Sequence, residues 1–135
     1  MKKRVLVMDD DEVLCEELAE ALAAEGYGVD MAFDGIRGKA MIAKGNYDLV
    51  LLDIKVPHFS GLELLKNMKS YSPETAVPKV AIFSADPVVH RFLTQQMEPG
   101  DSPLAFDLQR ADAVISKSYS VEEFLTTVRK LLGGS

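Results

Sequence analysis

Leu49-Val50-Leu51-Leu52 is an unbroken apolar run that stops at a carboxylate, Asp53. A strand covered on one face alternates apolar and polar residues. A short continuous apolar run is instead the pattern of a strand buried on both faces. Such strands belong to parallel sheets with helices packed on either side, where ligands bind outside the carboxyl ends of the strands. Asp53 is therefore expected at the mouth of an α/β crevice.

Four more segments fit this scheme. Val5-Leu6-Val7-Met8 ends in three acids, Asp9-Asp10-Asp11. Gly28-Val29-Asp30-Met31-Ala32 reads as a weaker strand. Lys79-Val80-Ala81-Ile82-Phe83 ends at Ser84-Ala85, and Ala113-Val114-Ile115 runs straight into Ser116-Lys117.

Helical spacing appears between these runs. Val13-Leu14, Leu18 and Ala21-Leu22 mark a helix capped by Asp10 or Asp11 and stopped at Gly26. Asp34-Gly35 opens a second, carrying Ile36, Ala40 and Ala43 and closed by Gly45-Asn46. Ser60 caps a third with Leu62, Leu65 and Met68, and a fourth starts near Asp86-Pro87 and covers 88–97. Val121, Phe124-Leu125, Val128 and Leu131-Leu132 mark the last, with Gly133-Gly134-Ser135 as its stop. Strands alternating with helices predict a doubly wound α/β sheet with helices on both faces.

A chain of 135 residues suits one domain, taken as 1–135 with its core over 3–132. The segment from Glu98 to Pro103 breaks the pattern, and 99–110 reads as an insertion before the fifth strand. No apolar run approaches the ~20 residues of a membrane span, and the one after Met1-Lys2-Lys3-Arg4 is too short for a signal peptide. Net charge is −6 with scattered basic residues, which argues against a phosphate-reading nucleic-acid surface. The one cysteine, Cys15, excludes an internal disulfide, fits a reducing cytoplasm, and is expected in the core.

In a parallel sheet the ends at Asp9-Asp10, Asp53, Ser84 and Ser116-Lys117 share one edge. Clustered carboxylates resist ionising unless a cation compensates, and Mg²⁺ suits hard oxygen ligands. With a lysine and a hydroxyl beside the metal, this edge is equipped to hold a phosphoryl group, with Asp53 as nucleophile.

On these residues the chain resembles a response-regulator receiver domain of two-component signalling. The motif comprises Asp9-Asp10, Asp53 with Pro57 and Gly61 after it, Ser84-Ala85 and Lys117. The resemblance implies a flavodoxin-like fold with strand order 2-1-3-4-5. It implies that Asp53 accepts phosphate from the phosphohistidine of a histidine kinase or phosphotransfer protein, and that the domain then switches its binding to a downstream protein. Asp10, Asp53 and the carbonyl of Lys55 would bind Mg²⁺, with Asp9 acting partly through water. Lys117 and Ser84 would contact the phosphoryl oxygens, and Ser84 would move to report them. Such a domain is a signalling phosphoacceptor and not an enzyme, beyond its own Mg-dependent phosphorylation and dephosphorylation. It needs neither nucleic acid nor membrane. The chain's end fits both a stand-alone receiver and a piece of a longer protein.

Two positions depart from the family's pattern. Val114 stands where an aromatic switch residue commonly lies, and Ser118 replaces the usual proline after the lysine. A cis peptide without proline costs ~3 kcal/mol, so a trans Lys117–Ser118 bond is predicted. Lys55 and Asp86 are expected to flank the phosphate and modulate its lifetime, whereas His58 and His90 read as surface residues. Two rival readings remain at this stage. One is a haloacid-dehalogenase-like phosphatase with Asp9 as nucleophile, Asp11 as general acid, and Ser84 and Lys117 as its next motifs. It would need an acidic pair after the lysine, and only Glu122-Glu123 is available. The other is a receiver-shaped interaction module that works without phosphorylation.

Overall fold

Each of the apolar runs becomes a strand. The computed structural model describes residues 2–53, 78–85, 91 and 111–133. The expected helix after Ser60 and the 99–110 insertion lie outside them, as does the helix expected over 88–97 apart from Arg91, which is helical. The described strands are β1 (Arg4–Met8), β2 (Gly28–Ala32), β3 (Leu49–Leu52), β4 (Lys79–Ser84) and β5 (Ala113–Ser116). The described helices are α1 (Glu12–Ala24), α2 (Gly35–Lys44) and the last one, α3 (Val121–Leu131). All strand pairings are parallel, and the order is β2-β1-β3-β4-β5.

Burial explains why β1 carries no polar residue after Arg4 and β3 carries none. Val5, Val7, Leu49, Leu51, Ala81, Phe83 and Ile115 share one core with Cys15, Leu18 and Leu22 of α1 and Phe124 and Val128 of α3. On β1, the alternate residue Met8 faces the other way and lies against Gly38 of α2. The described helices thus cover both faces of the sheet, as a doubly wound arrangement requires.

Caps set the helix starts. Asp11 is the N-cap of α1, accepting from the Leu14 amide at 3.0 Å, which decides between the two acids named above. Asp34 caps α2 through the Arg37 amide at 2.8 Å. Ser120 and Glu123 form a reciprocal capping box on α3. Gly26, just past α1, has φ +95°, a conformation that favours glycine.

Helix α2 forms where Ile36, Ala40 and Ala43 marked it, but these are not its covered residues: Ile36 is 65% exposed and both alanines are exposed. The covered face is Gly35, Gly38 and Ile42. A Cβ on Gly38 would stand 2.2 Å from Met8 Cε, so any larger residue there requires the Met8 side chain to shift. Val13 and Val121, in the first turns of α1 and α3, are also exposed, at 66% and 59%. Cys15 is fully buried, as expected.

Candidate functional site

Side-chain parity carries the site upward from the core. Residues 5 and 7, 49 and 51, 81 and 83, and 115 point into the face shared by α1 and α3. Two residues further along, the same parity yields Asp9, Asp53 and Lys117. The backbone supports each of them. The Asp9 amide donates to Ala32 O (3.1 Å), the Asp53 amide to Met8 O (3.0 Å) and the Lys117 amide to Ser84 O (3.0 Å). The sheet ladders therefore run one residue past each strand and end on the functional side chains.

The lysine has to lean to reach the acids. Its own strand is two positions from β3, about 9.6 Å at the usual strand spacing, with β4 between. Lys117 Nζ crosses 5.8 Å from the centre of the Phe83 ring and lies 2.6 Å from Asp9 Oδ2 and 3.2 Å from Asp53 Oδ2. The Phe83 ring supplies an apolar, weakly negative floor for the ammonium.

Asp9 is the most enclosed of the acids, 1% exposed. Its Oδ1 accepts from the Asp11 amide at 3.0 Å, and the Cys15 thiol donates to its carbonyl oxygen at 3.3 Å. Its Oδ2 is buried, and its contact with Lys117 is an ion pair without an aligned hydrogen bond. Burial pushes the Asp9 carboxyl up from its ordinary value. The Lys117 and Asp11 contacts pull it down without overcoming burial, and the charge on Asp53 adds to the rise. Burial is also the largest single influence on Lys117, pulling it down, but the contacts with Asp9 and Asp53 together outweigh it and hold the ammonium above its ordinary range. Both directions have one meaning. Among the described residues, three carboxylates gathered around the ammonium of Lys117 favour added positive charge. Burial and the acids beside it lift the Cys15 thiol to about 12, so it stays protonated and serves as a donor only.

Asp9, Asp10 and Asp53 each offer a carboxylate oxygen, all within 4.8 Å of one another. Two of the acids are buried and Asp10 is exposed, so the cluster opens to solvent on one side. An all-oxygen set with a buried oxygen that accepts no aligned hydrogen bond, and with one open side, fits a hard divalent cation that keeps some of its water, as Mg²⁺ does.

Ser84 is buried at the end of β4, opposite Ser116 of β5. Val114 is half-buried and pairs with Ile82. No cis peptide occurs among the described residues, so the Lys117–Ser118 bond is trans, as predicted. Lys55 and Asp86 lie outside the described residues, as do Pro57, His58, Gly61 and His90. Glu122 and Glu123 sit in the first turn of α3, where Glu123 closes the capping box. They are not at a strand end, where the phosphatase reading would need its acidic pair.

Sequence reasoning did not single out Phe83 as the floor under the lysine, nor the bond from Cys15 to Asp9. It placed Ser116 at the strand end but assigned it no contact; its Oγ accepts from the Ser118 amide at 3.1 Å and lies 2.7 Å from Ser118 Oγ. The parity of Phe83 was readable in advance. The serine bonds depend on loop geometry that no pattern encodes.

Comparison with known proteins gives a consistent result. A family model described as response regulator receiver domain matches residues 5–100. The transcriptional regulatory protein DltR of Streptococcus agalactiae is 38% identical over 126 residues, 93% of this chain and 50% of its own length. The response regulator MprA of Mycobacterium bovis is 31% identical over 132 residues, 98% of this chain and 51% of its own. The chain thus spans about half the length of these relatives. Among solved structures, the response regulator TrrA of Thermotoga maritima, in complex with Mg²⁺ and BeF, superposes with TM-score 0.75 at 32% identity. It covers 96% of this chain and 99% of that one. A CheY-like receiver domain protein from Methanospirillum hungatei gives TM-score 0.78 at 27% identity, covering 98% and 95%.

Proposed function

The chain belongs to the response regulator receiver domain family, and from that premise we propose that Asp53 is its phosphoryl acceptor. The observation that carries the reading is Lys117 Nζ held between Asp9 and Asp53 at the open end of a parallel sheet. An Asp53 carboxylate oxygen attacks phosphorus in the phosphohistidine of a histidine kinase or phosphotransfer protein. The O–P bond forms as the P–N bond breaks, and the imidazole leaves with the electron pair.

Asp9, Asp10 and Asp53, together with the carbonyl of Lys55, would hold Mg²⁺, which when bound offsets the negative charge of the phosphoryl oxygens. Lys117 exchanges its contact with Asp53 for one with a phosphoryl oxygen, its ammonium already in place over Phe83. Asp9 stays behind the lysine as its fixed counter-charge. Ser84 donates its hydroxyl to another phosphoryl oxygen and its movement reports phosphorylation. Val114 transmits that movement in place of an aromatic residue, while Lys55 and Asp86 restrict water at the acyl phosphate. The domain works in the cytoplasm, spans 1–135 with 99–110 as an insertion, and passes its signal to a protein target. Within the described residues no helix is long and apolar enough to cross a membrane.

Incubation with Mg²⁺ and a small phosphodonor, followed by intact mass, tests this reading. One added phosphoryl group is expected on the wild type, none on Asp53→Asn and none with chelator. Equal labelling of Asp53→Asn would defeat it.

A further inference from the structure

The position of Lys117 depends on a loop that has no regular secondary structure, yet every backbone N–H along it is bonded. The Lys117 amide donates to Ser84 O at 3.0 Å and the Ser118 amide to Ser116 Oγ at 3.1 Å. The Tyr119 amide donates to Ser116 O at 3.0 Å, and the Ser120 amide to Glu123 Oε1 at 3.2 Å. Two of these four bonds end on one residue, Ser116. It is 5% exposed, so its hydroxyl has little access to water as an alternative partner. A second contact, 2.7 Å to Ser118 Oγ, engages that hydroxyl again.

We propose that the Ser116 hydroxyl is a positioning residue for Lys117, clamping the peptide on its carboxyl side so that Nζ spans Asp9 and Asp53. The functional arm of this inference rests on the phosphoacceptor reading above; the structural arms do not.

Geometry makes the clamp consequential. The lysine must cross β4 to reach an acid two strands away, so its side chain has little slack. The bond from its own amide fixes only one side of its Cα. On the other side, removing the Ser116 hydroxyl leaves the Ser118 N–H without its acceptor and frees the following peptide to turn toward water. A displacement of about 1 Å at a charged group that must meet a reacting centre costs up to ~100-fold in rate. Loosening also has a signature that simple destabilisation lacks. The ammonium neutralises the same two carboxylates that a divalent cation would use. A lysine that spends less time there slows phosphoryl transfer and at the same time strengthens cation binding.

The test compares Ser116→Ala, Ser116→Thr, Ser118→Ala and Lys117→Ala with the wild type in the full chain. Three quantities are read: the rate of phosphorylation by a small phosphodonor at saturating Mg²⁺, the Mg²⁺ dissociation constant by calorimetry, and hydrogen exchange at the residue 118 amide. Ser116→Ala is expected to slow phosphorylation about tenfold and to tighten Mg²⁺ binding, both toward the Lys117→Ala values. Its residue 118 amide should exchange at least about tenfold faster. Ser116→Thr keeps the acceptor and should restore all three. Ser118→Ala keeps the N–H donor and should stay within about twofold of wild type. Wild-type values of rate, affinity and exchange in Ser116→Ala overturn the proposal. So does a fall in both rate and Mg²⁺ affinity together with a lowered Tm, the mark of a purely structural role. If the wild type takes no phosphoryl group at all, the phosphoacceptor reading fails instead, and the Mg²⁺ and exchange measurements decide the clamp alone.

Discussion

Replacing Gly38 by alanine should destabilise this protein, although alanine is the better helix former. Gly38 lies inside α2, and its replacement by alanine in a free helix would gain about 1 kcal/mol. Here the new Cβ would stand 2.2 Å from Met8 Cε, 2.7 Å from Sδ and 3.2 Å from Cγ. The thioether end is flexible, but Met8 is 1% exposed, so it cannot swing into solvent and must repack among buried neighbours. Overpacking of this kind costs about 1–3 kcal/mol. With two Met8 atoms under 3.0 Å and a third at 3.2 Å, the upper half of that range applies, leaving a net loss of about 1–2 kcal/mol. At this chain length that lowers Tm by roughly 3–7 °C. Urea unfolding should show the midpoint fall with an unchanged m-value. In a Met8→Ala background, where the clash is absent, Gly38→Ala should become neutral or stabilising, giving a coupling energy of about 1–2 kcal/mol. A stabilising Gly38→Ala in the wild-type background would refute the close approach of α2 to β1.

Three further outcomes follow from the same contacts. Lys117→Ala should slow phosphorylation by a small donor about a hundredfold, as for loss of one positioned donor at a charged transition state. An unchanged rate in that variant would remove the lysine from the chemistry. Tyr47 is buried, and burial with its 2.6 Å bond to Asp30 Oδ2 raises its phenol to about 12. The unfolded chain ionises this phenol near 10 and the folded chain does not, so its contribution is whole below pH 10 and is lost as pH rises through about 12. The loss amounts to roughly 2–3 kcal/mol. Ultraviolet titration and alkaline unfolding of Tyr47→Phe should lack a phenol step near 12 and the matching part of that slope. Ser120→Ala, which opens the capping box of α3, should lower stability by about 1 kcal/mol in urea unfolding.

The central strands β1, β3 and β4 were readable because burial on both faces leaves a plain mark, and the edge strands β2 and β5, half-buried over much of their length, because turn residues bound short apolar runs. Leu49–Leu52 and Gly28–Ala32 have the bounds their sequence patterns suggest, and the others differ by one residue at an end. The acids were readable for a related reason. Parity in a parallel sheet follows from counting, so Asp9, Asp53 and Lys117 could be brought together before any coordinates. Helix α2 shows where hydropathy fails. Its covered face contains two glycines, which add nothing to a hydrophobic stripe but allow backbone to approach Met8, while Ile36 is left in solvent. The role of Ser116 was out of reach for another reason. A hydroxyl that accepts from an amide two residues on is set by the dihedral angles of the turn, and many serines at strand ends make no such bond. The trans Lys117–Ser118 bond, by contrast, followed from the energetic cost of its alternative.

In the phosphoacceptor proposed above, Asp53 carries the phosphoryl group and neither of the neighbouring acids does. Asp9, Asp10 and Asp53 share one cluster, so the mass of the intact protein alone does not separate them. Hydride reduction of the acyl phosphate converts the labelled aspartate to homoserine, and peptide sequencing by mass then reads its position. After treatment with Mg²⁺ and a small phosphodonor, homoserine is predicted at position 53 and at no other. Homoserine at position 9 or 10, with Asp53 intact, would contradict the account.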